Sequence, residues 1–245
     1  MSQPTITPEG CAAAVGDIVA RIFHELDGWR ATIAAAGPSL RAAELDSLVE
    51  GLVVPALARP NPLLIGAGFI AAPQYVHGQD VHFAWWLGPL ESNPLLGTTS
   101  VPTKLDLSAR VYTEYLRDFR VLEWFQVPES THQTHITGPY VDHLCTCDYI
   151  LTLTMPVRVD DEMVGVAGAD IYVKRLEREL LPVFLALDEP VVLLSEVGRV
   201  VVSTEPTMVV GDILPNPQRS LARYTKLPCA GTPLWIAIGA PAAAV

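Results

Sequence analysis

The sequence predicts an α+β fold, in which antiparallel strands carry helices on one side. Three observations point there. The chain opens on an apolar stripe of helical period. Two strand-like runs, Tyr149 to Val159 and Val164 to Tyr172, flank the turn Asp160-Asp161-Glu162 and read as an antiparallel hairpin. There is no series of alternating strands and helices. The glycines match neither G-x-G-x-x-G opening a helix nor a Walker sequence.

The first helix has both end signals. Thr7 can cap it and Pro8 suits its first position. Val15, Ile18, Val19, Ile22, Phe23, Leu26 and Trp29 form one stripe, and Gly37-Pro38 stops the helix. About 29 residues at 1.5 Å each reach roughly 43 Å. That is long for a compact domain and suits a spine along which two lobes hang. The stripe is wide enough to serve the lobes on one side and a second chain on the other, so a homodimer is expected. A second helix follows, roughly Leu40 to Leu57, with Pro55 near its end.

Strand signals come next. Leu63 to Ile70 alternates two glycines, Gly66 and Gly68, with apolar residues, which permits a close approach by a backbone or a ligand. Phe83 to Leu87 is short and aromatic. Trp85 and Trp86 point to opposite faces there, one into the core and one toward a pocket mouth. Residues 93–105 read as a loop. Ser108 to Trp124 reads as helical, with Val111, Tyr115, Phe119 and Leu122 on one face. Gln126 to Thr137 is polar and reads as a loop draped over a site. After the hairpin come a helix, Lys174 to Leu185, and a second hairpin, Val191 to Leu194 and Arg199 to Ser203, about Glu196-Val197-Gly198. Leu234 to Ile238 adds a strand. The division is a spine helix over 1–38, a larger lobe over 39–185 and a smaller one over 186–245.

Composition narrows the function. The 245 residues are 50% hydrophobic and 18% charged, as in a globular protein. A net charge of -11 opposes nucleic acid and anionic lipid surfaces and steers cations inward. No run approaches the ~20 apolar residues of a membrane span. Met1-Ser2-Gln3-Pro4-Thr5 lacks the basic and apolar parts of a secretory signal, so a cytoplasmic location is expected. Cys11, Cys145, Cys147 and Cys229 then read as reduced thiols.

The candidate site lies between residues 112 and 171. Trp124-Phe125 supplies two aromatics, and Gly138-Pro139-Tyr140-Val141-Asp142 turns a third aromatic and an acid inward. Asp170 interrupts the apolar strand Gly165 to Val173, where a charge is costly unless paired. Ring faces and carboxylates both attract positive charge, so the set suits a small cationic or amine-bearing ligand. Each member has a plainer reading: Asp142 as a turn acid bonded to nearby amides, Asp170 as a cap for the next helix, the rings as core.

The same order of motifs resembles the ligand-binding module of double Cache (PAS-like) sensor domains. The shared features are the aromatic pair, Pro139-Tyr140-Val141-Asp142, the run Tyr149-Ile150-Leu151-Thr152 into Met155-Pro156-Val157, and Gly165-Val166-Ala167-Gly168-Ala169-Asp170. The resemblance extends over residues 8–240. It implies a long N-terminal helix with two PAS-like antiparallel lobes, and a sensor rather than an enzyme, with no cofactor. It places the ligand against Trp124, Tyr140, Asp142 and Asp170, with Phe125 where the family has a tyrosine; Arg120 and Tyr115, from the preceding stretch, are further candidates. Amino-acid-binding members carry a carboxylate-gripping arginine two residues before the tryptophan. Leu122 stands there in this chain, and Arg117 stands at the position of a further family tyrosine. The half of the pocket suited to an ammonium group is kept, and the half suited to a carboxylate is missing, with Arg117 and Arg120 the two residues that could replace it. The implied protein is a stand-alone sensor of an amine or other nitrogenous metabolite, reporting to a separately encoded transcription regulator or kinase.

A second reading uses His132, His135, His143, Cys145 and Cys147 as zinc ligands or as a Cys-His nucleophilic pair. Against it, C-x-C is tighter than the usual C-x-x-C knuckle and no second cysteine pair follows.

Overall fold

A computed structural model describes residues 6–37, 40–91, 97–106, 118–142, 146–215 and 221–239. Helix α1 (Pro8–Ala36) is capped as its sequence dictates. Thr7 Oγ1 accepts from the amide of Gly10 at 3.1 Å, and Gly37 ends the helix at φ 73°. Helix α2 (Ala42–Leu57) lies beside it.

A six-stranded antiparallel sheet follows, in the order β3-β2-β1-β6-β5-β4. Its strands are β1 (Leu64–Ala71), β2 (His82–Leu87), β3 (Thr103–Lys104), β4 (His135–Val141), β5 (Tyr149–Val159) and β6 (Glu162–Tyr172). The β5–β6 hairpin forms where expected. Asp160 (φ 49°) and Asp161 (φ 68°) both take left-handed conformations, the two-residue turn whose twist matches the strands. One face of the sheet packs on α1 and α2 through Ala67, Phe69, Trp86, Leu153 and Ala169. Burying each large member of that set contributes about 1.5–3 kcal/mol.

Helix α1 gives its stripe to the same core. Val15, Ile18, Ile22, Leu26 and Trp29 are all buried within this one chain. Of the stripe only Phe23 stays partly exposed. The second-chain contact expected of this stripe therefore loses its basis, because the chain's own sheet covers the apolar surface.

The chain departs from expectation before β4. Residues 107–117 lie outside the described set, so most of the helix expected over Ser108 to Trp124 is not addressed. Its described end is a 3-10 turn (Phe119–Val121), then an extended Leu122 at ψ 137°. Helix α3 (Glu123–Thr131) starts only afterwards and stops at His132, whose φ is 58°. The polar stretch from Gln126 to Thr137, expected as a loop, is thus mostly the body of α3 and the start of β4. Pro128 inside the helix and Gly138-Pro139 inside the strand masked both patterns.

Helix α4 (Val173–Phe184) buries Leu176, Leu180 and Phe184 at helical spacing and leads to a second antiparallel sheet. That sheet has the order β8-β7-β10-β9, from β7 (Val191–Leu194), β8 (Val200–Ser203), β9 (Tyr224–Pro228) and β10 (Trp235–Gly239). Strand β9 had no sequence signal. Helix α1 touches β5 and β6 of the first sheet and β9 and β10 of the second, so it is the spine its length implied. No helix among the described residues is long and apolar enough to cross a membrane.

Candidate ligand-binding cavity

The face of the first sheet turned away from α1 and α2 floors a cavity of about 390 Å³. Strand register decides which residues it receives. Asp170 pairs with Thr152 on β5 and with Gly66 on β1, while Ile70 pairs with Phe83. Directly opposed residues share a face, so Asp170, Thr152, Ile150, Ile70, Phe83 and Trp85 all point into the cavity. Glycine makes room at the floor. A Cβ at Gly66 would lie 2.8 Å from Nε1 of Trp85 and 3.3 Å from Oδ2 of Asp170. The close approach foreseen at this glycine is made by the protein's own indole and carboxyl.

Strand β4 reaches the cavity through a bulge. Thr137 pairs with Thr152 and Tyr140 with Ile150, so β4 spends three steps where β5 spends two. Without the extra residue, Tyr140 would fall on the opposite face from Thr137. Gly138 absorbs the irregularity at φ 111°, and a Cβ there would stand 2.8 Å from the carbonyl oxygen of Ile150. Gly138→Ala is therefore expected to cost about 1–3 kcal/mol, read as a lower midpoint in urea. An unchanged midpoint would show that the bulge tolerates a side chain.

Two acids and two hydroxyls converge. The Thr152 hydroxyl donates to Asp170 Oδ1 at 2.6 Å, and with that proton committed the Tyr140 hydroxyl donates to Thr152 Oγ1 at 2.8 Å. Enclosure by the sheet, reinforced by the nearby charge of Asp142, raises the Asp170 carboxyl to about 8, against the pull of the Thr152 hydroxyl. Asp142 is itself buried. Its Oδ2 accepts from Thr146 at 3.2 Å, and its backbone bonds Asp148 and Cys147. The turn role weighed for Asp142 and its place on the cavity lining thus coexist. Thr137, also on the lining, has a buried hydroxyl with no hydrogen-bond partner among the described residues.

Successive residues on a helix point about 100° apart, so Trp124 and Phe125 cannot both face the cavity. Trp124 does. Its ring stacks on Phe119 at 5° and meets Phe83 edge-on with centroids 6.3 Å apart. Phe125 is fully buried against Phe119 and is a core ring, off the lining. Arg120 is also off the lining: it is exposed and pairs with Asp118 at 3.4 Å. Tyr115 lies outside the described residues. Leu122 lines the cavity. Trp85 is the tryptophan of its pair that faces the cavity, and Trp86 is core.

The second lobe closes part of the cavity, which the sequence did not announce. Ser195, Glu196, Val197 and Arg199, from the β7–β8 hairpin, and Pro233-Leu234, ahead of β10, join the lining. In sequence, Glu196-Val197-Gly198 is an ordinary turn, and nothing local reports what stands opposite it.

The rival cluster does not gather among the described residues. His132 is an exposed helix terminus, Cys147 is exposed, and His135 bonds Glu123 at 2.8 Å. His143 and Cys145 lie outside the described set. Among the described residues no three His, Cys, Asp or Glu side chains are placed to hold a metal ion.

Comparison with known proteins agrees with this architecture. Residues 80–178 match the family model for the first PDC sensor domain of methyl-accepting chemotaxis protein-like receptors. The ligand-binding domain of the Pseudomonas fluorescens chemoreceptor CtaA, in complex with L-valine, superposes with a TM-score of 0.62. The identity is 16%, over 96% of this chain and 94% of that one. The ligand-binding domain of the Pseudomonas aeruginosa PAO1 amino-acid chemoreceptor PctC, in complex with GABA, gives 0.60 at 15% identity, over 94% and 95%. A structure of methyl-accepting chemotaxis protein X gives 0.61 at 14% identity, over 96% and 97%. No curated protein matches the sequence. The chain thus has the fold of chemoreceptor ligand-binding domains along its length, and its residues 80–178 are similar to the first PDC sensor domain of such receptors.

Proposed function

We propose that this domain senses a small nitrogen-bearing metabolite, an amine foremost, and reports its capture to a separately encoded signalling partner. The observation that carries the reading is Asp170: a carboxyl enclosed in an aromatic-walled cavity, with a second buried acid nearby. Trp124, Trp85 and Phe83 offer ring faces and edges, and the acids offer charge. The cavity's size suits a small ligand. The fold supports a ligand-binding rather than a catalytic role.

The ligand class rests on Leu122. It lines the cavity two residues before Trp124, where amino-acid-binding members of the resembled family carry arginine. Leucine cannot form the bidentate pair, and a carboxylate brought against it loses water without recompense. Primary amines are therefore expected to bind at least tenfold more tightly than the α-amino acids from which they differ by a carboxylate. Calorimetry on matched pairs tests this. Tighter binding of the α-amino acid than of its amine would overturn the assignment.

A further inference from the structure

We propose that Arg199, on the second lobe, is the anion anchor of the cavity, so that the ligand is a bipolar molecule with its amino group and its anionic group at separate ends. This rests on the reading above for the amino end and adds the other end. Arg199 is the one Lys or Arg on the lining among the described residues. Its Nη1 donates to the carbonyl of Gly211 at 2.7 Å, and among the described residues no carboxylate lies in ion-pair range of it. One of five guanidinium donors is thus used for positioning. Glu196, on the same turn and lining, is exposed, so solvent screens its charge.

The turn that carries Arg199 is held in place before any ligand arrives. The Ser195 amide donates to the Arg199 carbonyl at 2.9 Å, and the Arg199 amide to Ser195 Oγ at 3.1 Å. Trp235 Nε1 donates to the Ser195 carbonyl at 3.0 Å, tying the turn to β10. The loop that Arg199 grips reaches the first lobe, since a side chain on Gly211 would run into the ring of Tyr149. A preset guanidinium captures a carboxylate at little ordering cost. Asp170 belongs to the first sheet, and Arg199 to the β7–β8 connection of the second lobe. The proposed ligand meets Asp170 with its amino end and Arg199 with its anionic end, so ω-amino acids of graded length measure the span between the two.

The test compares straight-chain ω-amino acids of three to six carbons with n-alkylamines of equal length, by calorimetry at pH 8. We expect the best ω-amino acid to bind at least tenfold more tightly than its alkylamine. Arg199→Gln should reduce that gap to within about twofold, through loss of affinity for the ω-amino acid. Arg199→Lys keeps a charge that can reach Gly211, guards against a folding defect, and should restore part of the gap. A gap that survives Arg199→Gln, or no gain from the carboxylate in the parent protein, overturns this inference and leaves the amine reading standing. Failure of both series to bind overturns both.

Discussion

Asp170→Asn is expected to abolish ligand-induced stabilisation and, at the same time, to make the unliganded protein more stable at pH 8. The first effect follows from charge. An alkylamine at ~100 times its dissociation constant adds about 2.7 kcal/mol to the parent protein. Asparagine keeps the bond from Thr152 but offers no negative charge, so that increment should vanish. The second effect follows from linkage. The carboxyl titrates near 3.8 when unperturbed and near 8 in the fold, because enclosure disfavours its ionised form. Between those values the folded chain holds a proton that the unfolded chain has released. Stability therefore falls as pH rises from about 4 to about 8, and levels off beyond.

Asparagine does not titrate, so the variant escapes that loss. The advantage should be absent at about pH 4 and complete above about pH 8. Allowing for water admitted by the cavity, it should reach roughly 3 kcal/mol, or about 6–12 °C in melting temperature for a chain of this size. Melting curves at pH 4, 6 and 8, with and without amine, read both effects. A variant that loses the response and is also less stable at pH 8 would mark Asp170 as a structural residue. A variant that keeps the response would end its assignment to the ligand.

What the sequence disclosed follows the range of the forces involved. Helix α1 and the β5–β6 hairpin were legible because their signals are local: a cap, a stripe of one period, and two acids in a turn between alternating runs. The positions of Tyr140, Asp142 and Asp170 on one cavity follow from motif order. The reason Tyr140 faces inward is a bulge that exists only relative to β5. Phe125 could not be separated from Trp124 by sequence, because the distinction depends on the helix starting at Glu123. Phe83 and Arg199 were out of reach for a different reason. Their place on the lining depends on how β2 pairs with β1 and how one lobe meets the other, contacts between residues far apart in the chain.

Affinity for an amine should rise about 50-fold between pH 6 and pH 8 and then level off. An ammonium group binds the ionised Asp170, but with the carboxyl raised to about 8 only about 1% is ionised at pH 6 and about half at pH 8. Below pH 8, each amine bound must displace the Asp170 proton, so binding releases up to one proton. Calorimetry in two buffers of different ionisation enthalpy counts it. An uncharged nitrogenous ligand gives the opposite profile, because it prefers the protonated carboxyl as a hydrogen-bond donor and weakens as the pH passes 8. The pH profile thus separates the two ligand classes that the cavity can accommodate. Asp170→Asn should flatten it in either case. A parent protein whose amine affinity is unchanged from pH 6 to pH 8 would show that Asp170 is already ionised or does not meet the ligand. The ammonium group would then have to be held by Asp142 and the aromatic walls alone.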